Sequence, residues 1–263
     1  MLARIIRETV MKVSNRVGAE GVVRRFVWRL PSSWRQRRRM IALYSQFVSE
    51  GDLCFDVGAN YGLRSLVLGK LGARVVAIEP QLECVRALSR LRWLGVDVLP
   101  IAVGRSAKIE VLSVGSVSTI SSLSSEFVNR AALSGRFGSY AWTASRAVPV
   151  LPLEAVIASF GVPRFVKIDV EGFELAVLEG LQSCVPVVSF EFSSDSPDAA
   201  DACMRRMEGL GGYEFALSWG ESMSIGGSWG GREAVMSTVR SHDGRFGWGD
   251  IYARLREDAT STS

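Results

Sequence analysis

The sequence has few of the residues from which metal sites and disulfides are built. It contains one histidine, His242, and four cysteines that lie far apart without a Cys-x-x-Cys pair. Because zinc ligands normally come in closely spaced Cys and His pairs, a structural zinc site is not expected, and no metal is assigned. Separated thiols are typical of proteins in a reducing compartment. We therefore expect a cytoplasmic protein.

Long apolar runs are also missing. No stretch reaches the roughly 18 consecutive apolar residues that a membrane-spanning helix requires. The N-terminal sequence MLARIIRETVMK places charged side chains where a secretory signal needs a continuous apolar core. With 263 residues, of which 48% are hydrophobic and 22% charged, the composition predicts one large soluble domain with a small appendage.

Basic residues are concentrated at the N-terminus. Residues 1–40 contain eleven basic and two acidic side chains, a net charge of +9, so the remainder carries −5 of the overall +4. Apolar residues recur there near helical spacing, which predicts a basic helical extension over residues 1–45. This extension either packs on the body of the protein or contacts an anionic membrane surface through residues 1–40. Specific nucleic-acid binding is not expected, because no recognised module is present.

From residue 46 to residue 257, short β-branched runs alternate with longer helical patterns, which is typical of an α/β fold with a mostly parallel sheet. Strands are predicted at 52–58, 74–80, 96–104, 163–170, 185–193, 213–219 and 246–255, with a further, locally paired strand at 108–115. Helices are predicted at 61–72, 81–95, 171–182 and 198–211. The tail, residues 258–263, is expected to fray.

Residues 113–146 interrupt this alternation. The segment is rich in serine and glycine and has little periodicity apart from a short apolar pattern at Phe127 to Leu133. An inserted loop is predicted. Loops of this length in compact domains are either functional lids or disordered segments, and both alternatives stay open.

The first motif is the sequence DVGANYG at 56–62, where a predicted buried strand turns into a helix. Gly58 and Gly62 lack a Cβ atom, so the backbone can turn tightly and approach a ligand. The glycine spacing differs from the G-x-G-x-x-G dinucleotide fingerprint, which argues against an NAD-dependent oxidoreductase. Glu79 ends the next strand, 23 residues after Asp56. In doubly wound folds an acid at this place accepts hydrogen bonds from ribose hydroxyls.

These features, together with FVKIDVEGFELAVLEG at 165–180, closely resemble the FkbM family of S-adenosylmethionine-dependent methyltransferases. The resemblance covers roughly residues 50–255. It implies a doubly wound, Rossmann-like, seven-stranded sheet with the last strand antiparallel. It also implies methyl transfer from S-adenosylmethionine, commonly onto a hydroxyl of a sugar, glycan or natural product, so that a small molecule or glycan is the expected acceptor. The implied cofactor-binding residues are Asp56, Gly58, Asn60, Tyr61, Gly62 and, at the ribose, Glu79.

One position departs from that family. The fifth strand of many relatives reads Glu-x-His, whereas this chain has Glu191-Phe192-Ser193. A catalytic base at the third of these positions is therefore not carried over.

The catalytic candidates are Asp169 and Glu171, which lie two apart at a predicted strand end and so share a side. Transfer to a hydroxyl requires a nucleophile that is aligned and relieved of its proton. Asp169 is the first choice for contacting the cofactor or orienting the acceptor, and Glu171 the second. Two alternatives remain: Glu171 and Glu174 act only as helix N-terminal charges with Lys167 as ion partner, or Asp169 and Glu171 hold a divalent cation.

Three further features of the sequence allow alternative interpretations. A non-catalytic nucleoside-binding module would keep the pocket and dock an anionic partner through the basic N-terminal arm. His242 is interpreted as a surface residue, with a general base as the alternative. Three tryptophans, Trp219, Trp229 and Trp248, are either a carbohydrate platform or packing between the last strands.

Overall fold

The computed structural model describes residues 34–115, 120–134, 142–242 and 247–256. Residues 1–33 of the predicted extension, parts of the predicted insert (116–119 and 135–141) and the tail from residue 257 lie outside the described residues.

Strands and helices alternate along most of the chain. The strands are β1 Leu53–Val57, β2 Arg74–Ile78, β3 Val96–Leu99, β4 Ala102–Gly104, β5 Lys108–Gly115, β6 Trp142–Pro152, β7 Phe165–Ile168, β8 Val187–Ser193, β9 Tyr213–Trp219, β10 Gly226–Gly230 and β11 Trp248–Leu255. The helices are α1 Trp34–Tyr44, α2 Leu63–Lys70, α3 Leu82–Leu88, α4 Ser125–Ser134, α5 Leu153–Phe160, α6 Glu174–Glu179, α7 Pro197–Glu208 and α8 Arg232–Arg240, with a 3-10 helix at Ser89–Leu94.

The main sheet has the strand order β10-β9-β11-β8-β7-β1-β2-β3. The five neighbouring strands β3, β2, β1, β7 and β8 are parallel, and β11 runs antiparallel to both β8 and β9. This confirms the predicted Rossmann-like sheet with an antiparallel last strand. The eighth strand, β10, was predicted as a glycine-rich loop; it pairs irregularly with β9 at the sheet edge, where only one side needs a partner.

A second, three-stranded sheet has the order β4-β6-β5. The predicted strand at 96–104 is in fact two strands, β3 and β4, because Pro100 cannot continue a ladder between strands. β5 pairs antiparallel with β6, which confirms a locally paired strand at 108–115.

The prediction of a continuous inserted loop at 113–146 was wrong for its described parts. Strand β5 extends to Gly115, β6 begins at Trp142, and between them α4 occupies Ser125–Ser134. The apolar pattern from Phe127 to Leu133 was the signal of this helix, which serine-rich flanks obscured.

Both faces of the main sheet are covered, which explains its nearly continuous apolar strands. One face packs on α5, α6, α7 and α8 through residues such as Phe55 and Val166. The other, which we call the α1 face, packs on α1, α2 and α3 and includes Cys54 and Phe165. Helix α1 buries Met40, Leu43 and Tyr44 there, so the C-terminal part of the basic extension packs on the body.

None of the helices within the described ranges combines the length and the apolar character that crossing a bilayer requires.

Candidate active site

A cavity of about 420 Å³ lies at the carboxyl ends of the parallel strands. Chain reversals after these strands leave loops whose polar groups face the same crevice, the usual ligand site in open α/β sheets. Of the predicted site residues, the cavity is lined by Gly58, Asn60, Tyr61, Gly62, Glu79, Asp169 and Glu171. Asp56 is the exception.

The turn after β1 contains three residues with positive φ: Gly58 at 77°, Asn60 at 49° and Gly62 at 83°. A Cβ atom at Gly58 would lie 1.8 Å from the carbonyl oxygen of Asp169, and one at Gly62 would lie 2.6 Å from Leu88 Cδ2. Both glycines are therefore required by contacts between protein segments. Both glycines line the cavity, as the sequence predicted. The reason for the missing Cβ atoms that the structure shows is close packing against other protein segments.

Asp56 lies behind this turn. Its side chain is buried, and Ser65 Oγ on α2 donates a hydrogen bond of 2.5 Å to Asp56 Oδ2. Burial raises the pKa of the Asp56 carboxyl. Asp56 thus links the end of β1 to helix α2, on either side of the turn, and does not itself line the cavity.

Glu79 occupies the place predicted for a ribose-binding acid. Its Oε2 accepts a hydrogen bond of 3.0 Å from the backbone N–H of Asn60, and its Oε1 accepts one of 2.8 Å from that of Gln81. Burial raises the pKa of Glu79 to about 7, although these bonds favour the carboxylate. The Gln81 side chain adds a third hydrogen bond. The acid therefore ties the turn after β1 to the end of β2, and one of the four lone pairs of a carboxylate is left for a ligand hydroxyl.

Asp169 follows β7 and is held by two cations. Arg64 Nη2 on α2 lies 3.1 Å from Asp169 Oδ2, and Lys167 Nζ lies 3.9 Å from the same oxygen. Burial alone would raise the pKa of Asp169, but Lys167 and Arg64 outweigh it and lower the pKa. The side chain at the cavity wall is therefore a carboxylate at neutral pH.

Lys167 lies below the cavity and is completely buried. Its ammonium group donates to Asp250 Oδ1 at 2.8 Å and to the carbonyl of Ile168 at 3.0 Å. Burial alone would lower the pKa of Lys167, but the negative charges of Asp250 and Asp169 outweigh burial and raise it above the usual range. The predicted neutralising role of Lys167 thus involves Asp250 on β11 as well as Asp169.

Glu171 and Glu174 have different roles. Helix α6 begins at Glu174, so the predicted helix start at Glu171 was three residues early and the two acids do not share a helical face. Glu171 has a φ of 53° and lines the cavity, with its carbonyl accepting a bond of 2.6 Å from Ser122 Oγ. Glu174 Oε1 instead accepts from the backbone N–H groups of Val170 and Gly172, which closes the loop.

Glu191 on β8 completes an acidic group at this edge of the sheet. One oxygen from each of Asp169, Glu171 and Glu191 lies within 4.8 Å of the others. Burial, followed by the charges of Asp169, Glu171 and Glu174, raises the pKa of Glu191 well above its ordinary value. Such oxygens suit a divalent cation, but the guanidinium of Arg64 already neutralises Asp169.

The insert forms one wall of the cavity through Ser121, Ser122 and Leu123. Ser121 Oγ donates to Gln81 Oε1 at 3.0 Å, next to the Glu79 loop, whereas Ser122 bonds the Glu171 loop. A Cβ atom at Gly172 would lie 2.7 Å from Phe127 Cβ on α4. The described part of the insert is therefore an ordered wall that joins both motif loops.

Sequence reasoning missed several residues that complete the site. Gln36 of α1 lines the cavity and donates a bond of 2.6 Å to Glu221 Oε2 in the β9–β10 turn. Arg64 and Asp250 also went unassigned. Neither residue carries a local signal of this role, since Arg64 is brought beside β7 by the packing of α2 and Asp250 by the strand order.

Trp219 and Trp229 pack in different environments, which favours the packing alternative over a carbohydrate platform. Trp219 stacks on His242 with ring centroids 4.2 Å apart and packs edge-on against Phe192. Trp229 belongs to the α1 face, where its ring lies 4.2 Å from the Arg254 guanidinium carbon. His242 is exposed and is not among the residues that line the cavity, as expected for a surface histidine.

The cavity residues fit S-adenosylmethionine. Apolar side chains such as Ile78, Ile101 and Leu112 line part of the wall, as a nucleoside base requires. The buried acid Glu79 suits ribose hydroxyls. The carboxylates of Asp169 and Glu171 face the same space and suit the positive charges of a sulfonium amino acid.

Comparison with solved structures finds proteins of low sequence identity, among them two methyltransferases. Precorrin-6y C5,15-methyltransferase from Geobacter metallireducens is 11% identical, with 84% of this chain and 86% of that chain covered and a TM-score of 0.42. A TehB-like SAM-dependent methyltransferase from Corynebacterium glutamicum is 10% identical, with coverages of 81% and 86% and a TM-score of 0.42. Cofactor-bound Rv0187 from MTB is 13% identical, with coverages of 96% and 90% and a TM-score of 0.41.

Among curated protein sequences, none matches this chain. The methyltransferase FkbM domain, in contrast, matches residues 56–212, more than half of the sequence. The match begins at Asp56 and includes Glu79, Asp169 and Glu191. The chain therefore belongs to the FkbM family of S-adenosylmethionine-dependent methyltransferases.

Proposed function

We propose that the protein is an O-methyltransferase that acts on a hydroxyl group of a sugar, glycan or other hydroxylated small molecule. The observation that carries the proposal is the Asp169 carboxylate, which lies at the cavity wall and is kept ionised by Arg64 and Lys167. A hydroxyl nucleophile must lose its proton as it is alkylated, and a positioned carboxylate accepts it.

S-adenosylmethionine, when bound, supplies a sulfonium methyl carbon to which the acceptor oxygen bonds while the carbon–sulfur bond breaks and its electron pair stays on S-adenosylhomocysteine. Asp169 accepts the hydroxyl proton. A carboxylate of low pKa suffices, because the hydroxyl becomes strongly acidic as its oxygen gains a methyl group. Glu171 lines the same cavity and orients the acceptor by accepting a hydrogen bond from a neighbouring hydroxyl.

The cavity wall also supports a hydroxylated acceptor. Side chains that can accept or exchange hydrogen bonds with hydroxyl groups come from three elements, namely Gln36 of α1, Ser122 of the insert and Glu171 after β7. The carboxylates of Asp169 and Glu171 repel an anionic group at this place, so an uncharged polyol such as a sugar ring fits better than a phosphate ester.

The test begins with calorimetric titration of the protein with S-adenosylmethionine and, in parallel, with NAD. We expect binding of S-adenosylmethionine only. An acceptor screen with isotopically labelled methyl donor then identifies the methylated atom by NMR. A product methylated on oxygen supports the proposal, whereas methylation on nitrogen, carbon or sulfur contradicts it. Cofactor binding without turnover of any hydroxylated acceptor would instead favour the non-catalytic nucleoside-binding module.

We also propose that the basic N-terminal segment contacts an anionic membrane surface. The net charge of +9 in residues 1–40 supports this. Within α1, Arg35, Arg38 and Arg39 are exposed while Met40 is buried, so one side of the helix packs and the other presents charge. Co-sedimentation with phosphatidylserine vesicles should fall strongly when residues 1–33 are deleted. Unchanged co-sedimentation would contradict the proposal.

For the compartment, we propose the cytoplasm. Within the described residues, none of the four cysteines forms a disulfide, as is usual in a reducing environment. Fractionation of cells that produce the full chain is the direct test.

A further inference from the structure

Glu191 was assigned no role by sequence reasoning, yet the sheet register places it beside Asp169. Lys167 on β7 pairs with Ser189 on β8, and both acids follow two residues later on the same side. On its other side Glu191 is paired with Asp250 of β11. Three carboxyl groups therefore stand in adjacent positions along one edge of the α1 face.

The two cations near these acids are unequally distributed. Arg64 lies 3.1 Å from Asp169, and Lys167 lies 2.8 Å from Asp250 and 3.9 Å from Asp169. Within the described ranges no cation lies at ion-pair distance from the Glu191 carboxyl. Each outer acid thus has a compensating charge, whereas the central one does not.

The remaining groups around Glu191 also disfavour a negative charge there. Glu171 and Glu174, from the loop after β7 and the start of α6, add to the repulsion by Asp169, and Lys167 opposes it with a smaller effect. A carboxyl oxygen of Glu191 and one of Asp169 lie within 4.8 Å of each other, and hydrogen bonding between these two side chains favours the ionised form of Asp169. Since an ionised Asp169 can only accept, Glu191 is the donor of this bond.

We propose that Glu191 is a protonated positioning residue, whose carboxylic acid donates a hydrogen bond to Asp169 and thereby fixes the direction in which the Asp169 carboxylate faces the acceptor. The catalytic part of this inference rests on the proposed O-methyltransferase function. The protonation of Glu191 does not, because it follows from the burial of the side chain and from the neighbouring charges.

The protonation can be measured without any acceptor. Glu191→Gln keeps a hydrogen-bond donor but cannot ionise, so it mimics the protonated acid. Above the ordinary glutamate pKa of about 4.3 the wild-type protein must take up a proton at Glu191 when it folds. Its melting temperature should therefore fall relative to that of the variant as the pH is raised from about 5 to about 8. Glu50→Gln, a change at an exposed position before β1, is the matched control and should melt in parallel with wild type.

Two results would overturn the protonation. One is a melting difference between wild type and Glu191→Gln that is constant with pH. The other is saturable binding of Mg²⁺ or Mn²⁺ by wild type that Glu191→Gln abolishes, because a metal ligand would have to be ionised.

The positioning role is tested by measuring kcat of two Glu191 variants. With an acceptor identified, Glu191→Gln should keep kcat within about threefold of wild type, whereas Glu191→Ala should lower kcat at least about tenfold with unchanged S-adenosylmethionine affinity. A large loss of kcat in Glu191→Gln would show that an ionised Glu191 is needed and would overturn the inference. If wild type turns over no hydroxylated acceptor, the proposed function fails while the melting experiment still decides the protonation.

Discussion

Gly58 and Asp169 are in close backbone contact: a Cβ atom on Gly58 would lie 1.8 Å from the Asp169 carbonyl oxygen. A single added carbon at Gly58 would therefore push the turn after β1 away from the loop after β7. The backbone N–H of Asp169 also donates to the carbonyl of Val57 at 2.9 Å. The turn that lines the cofactor cavity and the loop that carries the catalytic carboxylate therefore form one continuous backbone layer.

Gly58→Ala should destabilise the protein by about 3 kcal/mol or more and abolish S-adenosylmethionine binding, because it combines a backbone clash with a φ of 77°. The control is Gly227→Ala, where φ is 81° but nothing lies within 4 Å of the added carbon. The free energy of unfolding of that variant should fall by only about 1 kcal/mol, which is the conformational cost of a positive φ in alanine. Equal losses of unfolding free energy in denaturant titrations would show that the Asp169 contact is unimportant.

Binding of S-adenosylmethionine should tighten as the pH rises from about 6 to about 8. The pKa of Glu79 is raised to about 7 by burial, so the acid is largely neutral below this pH and a carboxylate above it. A carboxylate accepts ribose hydroxyl bonds more strongly. Calorimetry should show up to about a tenfold change in Kd per pH unit below the pKa and a plateau above it.

Glu79→Gln is the control for that dependence. The amide can still accept a bond but cannot ionise, so its Kd should be weaker and nearly independent of pH. A pH dependence in Glu79→Gln equal to that of wild type would assign the titration to another group.

Asp169→Asn should lower kcat by a factor of about 10² to 10⁴, the range for loss of a general base, while the fold persists. The cofactor affinity should fall by less than kcat does, because Glu171 still presents a carboxylate to the cavity. The amide is isosteric but cannot accept the hydroxyl proton. Asp97→Asn, at an exposed position of β3, serves as the control and should leave kcat unchanged. Retained turnover in a folded Asp169→Asn protein would remove Asp169 from the mechanism.

Lys167→Met should destabilise the protein by about 3–5 kcal/mol, since it leaves Asp250 without its partner in a buried site. Asp169 keeps Arg64. Adding Asp250→Asn to Lys167→Met should recover part of the lost stability, because the uncompensated charge is removed. Additive losses of unfolding free energy in a double-mutant cycle would indicate that the two side chains are not coupled.

Local sequence was sufficient for the parallel half of the fold. Apolar runs such as 52–58 and 163–170 correspond to β1 and β7, since buried parallel strands are apolar throughout. It failed at Gly226–Gly230, where a glycine-rich edge strand has little propensity of its own, and at 113–146, where serine content concealed α4. In both places pairing with a neighbouring element, not intrinsic propensity, decides the structure.

The same division applies to the site. The sequence by itself determined that Gly58, Glu79 and Asp169 reach the cavity, because each follows or ends a strand and parallel strands end at the same sheet edge. It did not reveal that Asp56 lies behind the turn. Only the tertiary structure decided their charge states. Arg64 from α2, Glu191 from β8 and Asp250 from β11 are brought to Asp169 by helix packing and strand order. Electrostatic interactions depend on distance in space, and nothing in the spacing of these residues along the chain encodes that distance.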